Sequence, residues 1–397
     1  MLYRPEAFET LTDEAWDEQR VRAAIREIVA DAEAAYGGDA LWPADDWDGW
    51  GAALPLKNLY AGAAGVIWAL DGLARRGHGE TRLDLADAAL RTLAAWRETP
   101  DFMSGLELPS RPQAALLAGE TGILLVALRL VPSAALADDL EARIHENLDN
   151  ETNELMWGAP GTLLAAHAML DRTGDERWRN ALGESADAVL AARDPDGFWS
   201  QRLFGAGFRS VGVPHGVAGN TLVLLLSEHE RGDELKRQTG ALLAGLAVVE
   251  DGLANWPVRV DGGLEANDGE IRVQWCGGAP GIVISASSYL DEELLLAGAE
   301  LVWHAGPPTL EKGPGICHGT AGNGYAFLKT FARTGDERWL DRARRFAVHA
   351  LDQVQRLRAQ RGRGRYSLFT GDIGTALFAA DCLDARSAYP VVDSFDW

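Results

Sequence analysis

A Gly-x-x-Gly unit that recurs seven times limits the folds open to this chain more than any other feature. Each copy introduces an apolar run, as in HGVAGNTLVLLL from His215 and HGTAGNGYAFL from His318. The first glycines of the seven copies are Gly62, Gly119, Gly158, Gly216, Gly278, Gly319 and Gly371. Successive copies lie 39 to 62 residues apart, which leaves room for two helices of about 12 residues and their connections. Each repeat is therefore predicted to be one helical hairpin.

The two helices of each hairpin differ in their pattern. The runs after the glycines are apolar on nearly every face, as expected of helices buried on all sides. The intervening segments alternate apolar and charged residues at helical spacing, as in TGDERWLDRARRFAVHALDQV, so they have one wet face. We predict an all-α protein, an α/α toroid of seven inner and seven outer helices, as a single domain over residues 1–397. The sequence leaves open whether the ring closes.

Several local signals refine this prediction. Asp13 to Ala35 is expected to be the first outer helix, and the spacing of Thr334 and Glu337 suggests a capping box in a TGDERW string that also occurs at 173–178. The repeated glycines suggest backbone angles that other residues resist, or close backbone approach. Two glycine-rich turns in the segment near 257–275 predict a short inserted hairpin.

The composition of the chain limits the classes of binding partner and the cellular compartment that we expect. Hydrophobic residues make up 47% and charged residues 24% of the chain, which is ordinary for a globular protein. A formal charge of −22 disfavours nucleic acid and anionic membrane surfaces as partners. The sequence has no apolar stretch of about 18 residues and no signal-peptide pattern at its start. We therefore expect a cytoplasmic protein without a membrane span.

The cysteines suggest a metal site. Three cysteines are too few for a disulfide framework, and two of them precede glycine units: Cys276 in the fifth copy and Cys317, followed by His318, in the sixth. If all the glycine turns face one end of a ring, these three side chains converge. Two thiols and an imidazole are typical zinc ligands, and three ligands leave a fourth position open, as in catalytic sites. Cys382, inside the last inner helix, is expected to be a small buried hydrophobe.

The ligand set also indicates a reaction. Two thiolates and a neutral imidazole cancel the charge of Zn²⁺, so a third thiolate bound there stays nucleophilic. We therefore expect the fourth ligand to be a substrate thiol. His215 precedes the fourth glycine unit and faces the same cavity, where it either takes part in the chemistry or merely hydrogen-bonds a carbonyl group.

These motifs resemble those of the lanthionine synthetase C-like family along essentially the whole chain. The resemblance is carried by WCGGAPG at Trp275 to Gly281, by ICHGTAGNGYAFL at Ile316 to Leu328, and by PHGVAG at Pro214 to Gly219. NELMWGAPG at Asn153 to Gly161 and YSLFTGDIG at Tyr366 to Gly374 are more similar to the eukaryotic-type branch. The family implies zinc on Cys276, Cys317 and His318, and addition of a thiol to dehydroalanine or dehydrobutyrine.

The resemblance also implies roles for further residues. The family's proton-handling histidine falls on His215, and a family arginine falls on Arg272, which we expect to neutralise enolate charge. Glu154 stands where nisin-type cyclases carry an aspartate, as in the eukaryotic-type members that add glutathione. It either orients His215 or Arg272 or takes no part in the chemistry. The remaining cavity lining is expected to include Trp157, Trp275, Asn220 and Asn323. The implied partners are a dehydrated peptide or protein and a thiol donor, either a peptide cysteine or glutathione. A separate dehydratase would make the dehydrated substrate.

Two other classes of function remain open. One is a non-catalytic zinc-containing scaffold that binds glutathione or a partner. The other is a toroidal carbohydrate-active enzyme with paired cavity carboxylates, although only Glu120 and Asp372 accompany the glycine turns. Protein prenyltransferases also combine a toroid with zinc, but through Asp, Cys and His at a different spacing. The physiological substrate and the oligomeric state are not determined by the sequence.

Overall fold

The structure is a computed structural model that describes residues 1–265 and 269–395. Its described part contains fourteen α-helices. The odd-numbered helices are α1 (Glu18–Ala34), α3 (Leu85–Glu98), α5 (Ala134–Glu146), α7 (Glu176–Ala191), α9 (Gly232–Leu246), α11 (Glu292–Ala305) and α13 (Glu337–Arg361). The even-numbered helices are α2 (Ala63–Arg75), α4 (Glu120–Leu130), α6 (Ala159–Thr173), α8 (Val217–Leu226), α10 (Ala279–Ala286), α12 (Thr320–Thr334) and α14 (Asp372–Asp384). Each even-numbered helix begins directly after the first glycine of one repeat.

The even-numbered helices form a closed inner ring. Each contacts the next even-numbered helix, and α14 contacts α2. Every residue of α10 is buried, which agrees with its apolar sequence. The odd-numbered helices pack outside: α3 contacts α2 and α4, α13 contacts α12 and α14, and α1 contacts α13 and α14. The predicted toroid of seven inner and seven outer helices is thus confirmed, and the ring closes.

The first outer helix is shorter than predicted. It begins at Glu18 rather than Asp13, because the Asp17 side chain accepts a hydrogen bond from the backbone N–H of Arg20 and so caps the helix. Three short 3₁₀ helices lie in the connections, at Pro5–Ala7, Gly38–Ala40 and Pro112–Ala114. No helix within the described ranges combines the length and the apolar character needed to cross a membrane.

Two small hairpins interrupt the helical pattern. Strands β1 (Gln201–Leu203) and β2 (Ala206–Phe208) pair antiparallel with Gln201 opposite Phe208. Strands β3 (Val248–Glu250) and β4 (Leu253–Asn255) pair antiparallel with Val248 opposite Asn255. Neither was predicted, because a three-residue strand leaves almost no periodic signal.

The hairpin expected near 257–275 stays a prediction. In the structure this segment contains an isolated antiparallel bridge between Glu265 and Ile271. Asn267 and Asp268, which carry the second predicted turn, lie outside the described residues.

The glycine repeat is explained mainly by close backbone approach. At the second glycine of all seven units, an added Cβ would lie only 1.8–2.3 Å from the carbonyl oxygen of the residue six positions earlier. The connection folds back on the start of its helix, since the N–H of Thr320 donates to Gly313 O and that of Val217 to Ser210 O. Of the seven first glycines only Gly278, with φ +96°, has a conformation that other residues resist; the other six are extended.

The two TGDERW strings form the same helix–helix joint, but without the predicted capping box. Gly335 ends α12 in the left-handed conformation, and Asp336 caps α13 by accepting from the N–H of Arg338. Thr334 instead belongs to α12, and its hydroxyl accepts from the N–H of Asp336 at 3.2 Å. Asp175 caps α7 in the equivalent way. The prediction was wrong because aspartate is a good cap itself and stands one residue before the helix.

Candidate metal centre

A belt of backbone hydrogen bonds brings equivalent positions of the repeats together at one end of the ring. These positions lie two residues before the first glycine and are Tyr60, Leu117, Met156, Pro214, Cys276, Cys317 and Phe369. The N–H of Cys317 donates to Phe369 O at 2.8 Å, that of Phe369 to Tyr60 O at 3.1 Å, and that of Tyr60 to Leu117 O at 3.0 Å. The belt continues through Met156 to Pro214. Side chains in this register therefore surround the end of the ring axis.

The structure brings the three predicted ligands together. One ligand atom each from Cys276, Cys317 and His318 lies within 4.8 Å of the others, and Cys317 Sγ is 3.4 Å from His318 Nε2. A tetrahedral zinc ion with bonds of about 2.0–2.3 Å separates its ligand atoms by roughly 3.5 Å. The cluster therefore fits a metal ion of this kind after small side-chain shifts.

The surroundings favour a thiolate at Cys276. Its hydrogen bond with Cys317, together with the nearby His318 and Arg272, holds the pKa of the Cys276 thiol well below its usual range despite burial. Burial and the adjacent Cys276 raise the pKa of Cys317. The Nε2–H of Gln274 donates to Cys276 Sγ at 2.9 Å. In addition, α10 and α12 begin just after the cysteines, and the positive end of a helix dipole stabilises a thiolate.

Tyr60 and Gln274 were missed by the sequence interpretation. The Tyr60 hydroxyl is hydrogen-bonded to Cys317, and burial, followed by the two cysteines, raises its pKa well above the usual value. Its ring stacks on Phe369 at 4.9 Å. The available signal was the repeat register, because Tyr60 occupies in the first repeat the position that Cys276 and Cys317 occupy in the fifth and sixth.

His215 and Glu154 form a second polar pair at the same end of the ring. His215 Nδ1 lies 2.7 Å from Glu154 Oε2, so the histidine binds a carboxylate and not the carbonyl group considered from the sequence. Glu154 is fully buried and also accepts from the N–H groups of Trp157 at 2.6 Å and Met156 at 3.1 Å. Burial alone lowers the pKa of His215, but the hydrogen bond and charge of Glu154 outweigh it and the pKa is raised.

The candidate metal centre lines a cavity of about 590 Å³. Its wall also contains Tyr60, His215 and Arg272, so the predicted catalytic and metal-binding residues border one space, with Glu154 behind His215.

A second cavity of about 560 Å³, here called the apolar lobe, adjoins the cavity of the metal centre. Its apolar and aromatic lining residues include Trp47, Trp50, Leu56, Phe102, Met103, Leu108, Met156, Trp157 and Phe204. A third cavity, on the side of His318, is lined by Arg272, Lys312, Arg361 and Arg365.

Of the four other residues predicted to line the cavity, two line cavities in the structure and two do not. Trp157 lines the apolar lobe, and Trp275 contributes to the central wall while stacking on Tyr389 at 4.9 Å. Asn220 and Asn323 do not line the cavity: both are fully buried and donate to backbone carbonyl groups of other loops. Their placement in the cavity lining was therefore wrong, because each amide instead joins its helix to another loop.

Cys382 and the two carboxylates considered for a carbohydrate-active enzyme lie outside this centre. Cys382 is fully buried in α14. Glu120 is ion-paired with Arg97 and Arg143, and Asp372 with Arg358. Neither carboxylate lines the central cavity, so the two acids that accompany the glycine turns do not form the cavity pair that a carbohydrate-cleaving site requires.

A closed α/α toroid with a thiol–imidazole cluster at one end of its ring defines the class of this protein. Residues 53–395 match the family model described as lanthionine synthetase C-like protein, so the chain belongs to that family. The solved structure of nisin cyclase superposes with a TM-score of 0.57 at 14% identity, covering 92% of this chain and 93% of that one. That likeness shows a shared fold.

Two curated relatives match parts of the chain. The Danio rerio protein named glutathione S-transferase LANCL1 is 36% identical over 131 residues, which is 30% of this chain and 31% of the relative. The Arabidopsis thaliana LanC-like protein GCL1 is 33% identical over 183 residues, 42% of this chain and 39% of the relative. The matches thus span about a third to two fifths of these relatives.

Proposed function

We propose that this protein is a zinc-dependent enzyme that adds a thiol to dehydroalanine or dehydrobutyrine and forms a thioether. The observation that carries the proposal is the meeting of two thiols and one imidazole within 4.8 Å in the wall of a cavity that also holds His215 and Arg272. Membership of a family with cyclase-type enzymes supports it, as do the names of the relatives.

Cys276, Cys317 and His318 would hold the metal. When bound there, zinc would supply a thiolate at neutral pH by lowering the pKa of a thiol at its open position. The protein's own residues would do the rest of the work. His215, held at Nδ1 by Glu154, is left with Nε2 to exchange a proton, either removing it from the incoming thiol or delivering it to the α-carbon.

Arg272 would stabilise the charge that develops during the addition. As the sulfur–carbon bond forms at the β-carbon, the electron pair of the carbon–carbon double bond moves toward the neighbouring carbonyl group as an enolate. The guanidinium of Arg272 lies in the cavity wall, where it neutralises this charge until the α-carbon takes up its proton. The atoms balance, because the thiol proton ends on the α-carbon.

The acceptor would be a dehydrated peptide or protein, supplied by a separate dehydratase. Two observations favour glutathione over a peptide cysteine as the thiol donor: Glu154 in place of aspartate, and a relative named as a glutathione S-transferase. A cytoplasmic location, where glutathione keeps thiols reduced, would suit this chemistry and stays a prediction.

Replacing Cys317 by alanine tests the proposal, with Cys382→Ala as the matched control. Both cysteines are buried, but Cys382 lies in α14 outside the cluster. We expect Cys317→Ala to lose zinc and to slow glutathione addition to a dehydroalanine peptide by at least about 100-fold, since a metal site supplies several kcal/mol. Cys382→Ala should retain both properties.

Two outcomes would contradict the proposal. The first is a Cys317→Ala protein with unchanged zinc content and unchanged rate. The second is a wild-type protein that binds glutathione saturably but forms no product with any dehydroalanine or dehydrobutyrine peptide, which would instead support the non-catalytic scaffold.

A further inference from the structure

We propose that the apolar lobe beside the metal centre binds an apolar side chain that flanks the acceptor residue of a peptide substrate. This inference rests on the proposed function for the identity of the acceptor. It adds that the protein selects the sequence around the dehydrated residue and not only the residue itself.

The apolar lobe adjoins the cavity of the metal centre. Four residues line both spaces: Tyr60, Met156, Phe204 and His215. A peptide segment can therefore place one residue at the metal centre and a neighbouring side chain in the apolar lobe. The volume of about 560 Å³ is within the usual range for ligand pockets, roughly 300–1,000 Å³.

The rim of the apolar lobe exposes more large apolar side chains than the rest of the described surface. Eight large hydrophobic residues are exposed in the described chain, and five lie in or beside its lining segments. They are Trp47 (62% exposed), Trp50 (66%), Leu54 (60%), Leu106 (36%) and Phe204 (42%). Exposed apolar residues are normally scattered, so a cluster beside a reactive site indicates a binding surface.

The walls of the apolar lobe are fixed in position. Asp48, next to Trp47, accepts from the Arg365 guanidinium at 2.6 Å and from the Thr370 hydroxyl at 2.9 Å. On another side, Lys57 and Asp101 form a buried ion pair at 2.8 Å. Because these contacts already hold the surrounding loops, a ligand need not order them, which favours binding.

The chemistry of the lining disfavours the polar thiol donor as the occupant. Apart from His215, which is paired with Glu154, no basic side chain is among the described lining residues, and the two carboxylates present, Asp48 and Asp101, are ion-paired. Glutathione carries two carboxylates, for which this lining offers no unpaired cation.

A binding comparison with unreactive peptides tests this inference. The peptides carry alanine at the acceptor position and differ only in having Phe or Ser as the residue directly before or directly after it. By fluorescence anisotropy, we expect the wild-type protein to bind the Phe peptide of at least one pair about tenfold more tightly, since an aromatic side chain leaves water. Trp50→Ala and Phe204→Ala should reduce this ratio toward one.

The matched control is Val249→Ala, because Val249 is 54% exposed but lies in β3, away from the apolar lobe. It should keep the wild-type ratio. Equal binding of both peptides in both pairs, or a preference that survives in both lobe variants, would overturn the inference. Because Trp50 is 66% exposed and Phe204 42% exposed, we expect both replacements to leave the fold intact, and thermal unfolding checks this.

A separate measurement distinguishes failure of the proposed function. Wild-type protein with zinc and glutathione is given N-acetyl-dehydroalanine amide, an acceptor too small to reach the apolar lobe. Absence of thioether product overturns the proposed thiol addition alone, because the peptides in the binding comparison cannot react. Loss of the Phe-over-Ser preference overturns the inference about the apolar lobe alone.

Discussion

Glu154 is the residue that sets the protonation of His215. The two side chains meet at 2.7 Å, and the carboxylate is itself held by two backbone N–H groups, so it cannot turn away. Without it, burial would lower the pKa of His215; with it, the pKa is raised.

Replacing Glu154 by glutamine is expected to lower the pKa of His215. The amide keeps the shape of the carboxylate but removes its charge, which is one of the causes that outweigh burial. The inflection of the pH–rate profile that reports His215 should therefore move to lower pH, and the NMR titration of its imidazole should move the same way. Glu120→Gln removes another buried carboxylate, paired with Arg97 and Arg143, and should leave both unchanged. An unshifted inflection in Glu154→Gln would contradict this role.

At the scale of the elements, the connection before each inner helix is the functional unit. Before α2, α8, α12 and α14 it folds back so that the first helical N–H groups donate to carbonyl groups seven residues earlier, and in every repeat it includes the position two residues before the glycine. The same close packing that needs glycine therefore aligns Cys276 and Cys317 in adjacent repeats. Repeat five differs at Gly278, which has a positive φ and is preceded by an additional glycine, Gly277, directly after Cys276.

Gly219→Ala is expected to destabilise the protein strongly. The new Cβ would lie 1.8 Å from Val213 O, a backbone atom that cannot move aside without shifting the connection that carries His215. We expect a loss of about 2–3 kcal/mol or more in the free energy of unfolding, measured by urea denaturation. The control is Gly183→Ala in α7, where an added Cβ meets nothing within 4 Å; it should be neutral or slightly stabilising. Equal stability of the two variants would refute the packing explanation.

At the scale of the whole molecule, residues near both termini complete the ring. The main hydrophobic cluster includes residues from Leu2 to Phe395. The single domain over residues 1–397 stays a prediction. Tyr389 stacks on Trp275 and donates its hydroxyl to Ile316 O at 2.7 Å, so the C-terminal segment braces both cysteine connections. The backbone carbonyl of Phe395 accepts from Trp68 Nε1 at 2.9 Å and from Arg129.

This architecture predicts that removal of the proposed metal lowers the thermal stability of the protein without unfolding it. The core is built by the inner helices and does not depend on the cluster, unlike that of a zinc finger. A metal that binds only the folded state stabilises it by about 4 kcal/mol at 1,000 times its Kd. A chelator should therefore lower the Tm of the wild-type protein by several degrees while circular dichroism at 25 °C stays helical. The Tm of Cys317→Ala should not respond; complete unfolding on chelation would disprove this view.

The main features of the site were predictable because they follow the repeat. The register of Cys276, Cys317 and His318 against the glycines is a local property of the chain, and so is the alternation of fully apolar and amphipathic helices. Seven such copies predict both the toroid and the convergence of three ligands. The capping box was wrong because two good caps, threonine and aspartate, stand only two residues apart.

Only the tertiary structure decided the contacts between different repeats. Ring closure, the hydroxyl of Tyr60 beside Cys317, the amides of Asn220 and Asn323 that join loops, and the apolar lobe between residues 47–56 and Phe204 all depend on which connection lies next to which. The sequence by itself determined each repeat and its register. The physical reason for this division is that periodicity records how one segment is buried, whereas a side chain's partner across the ring depends on how all seven repeats pack together.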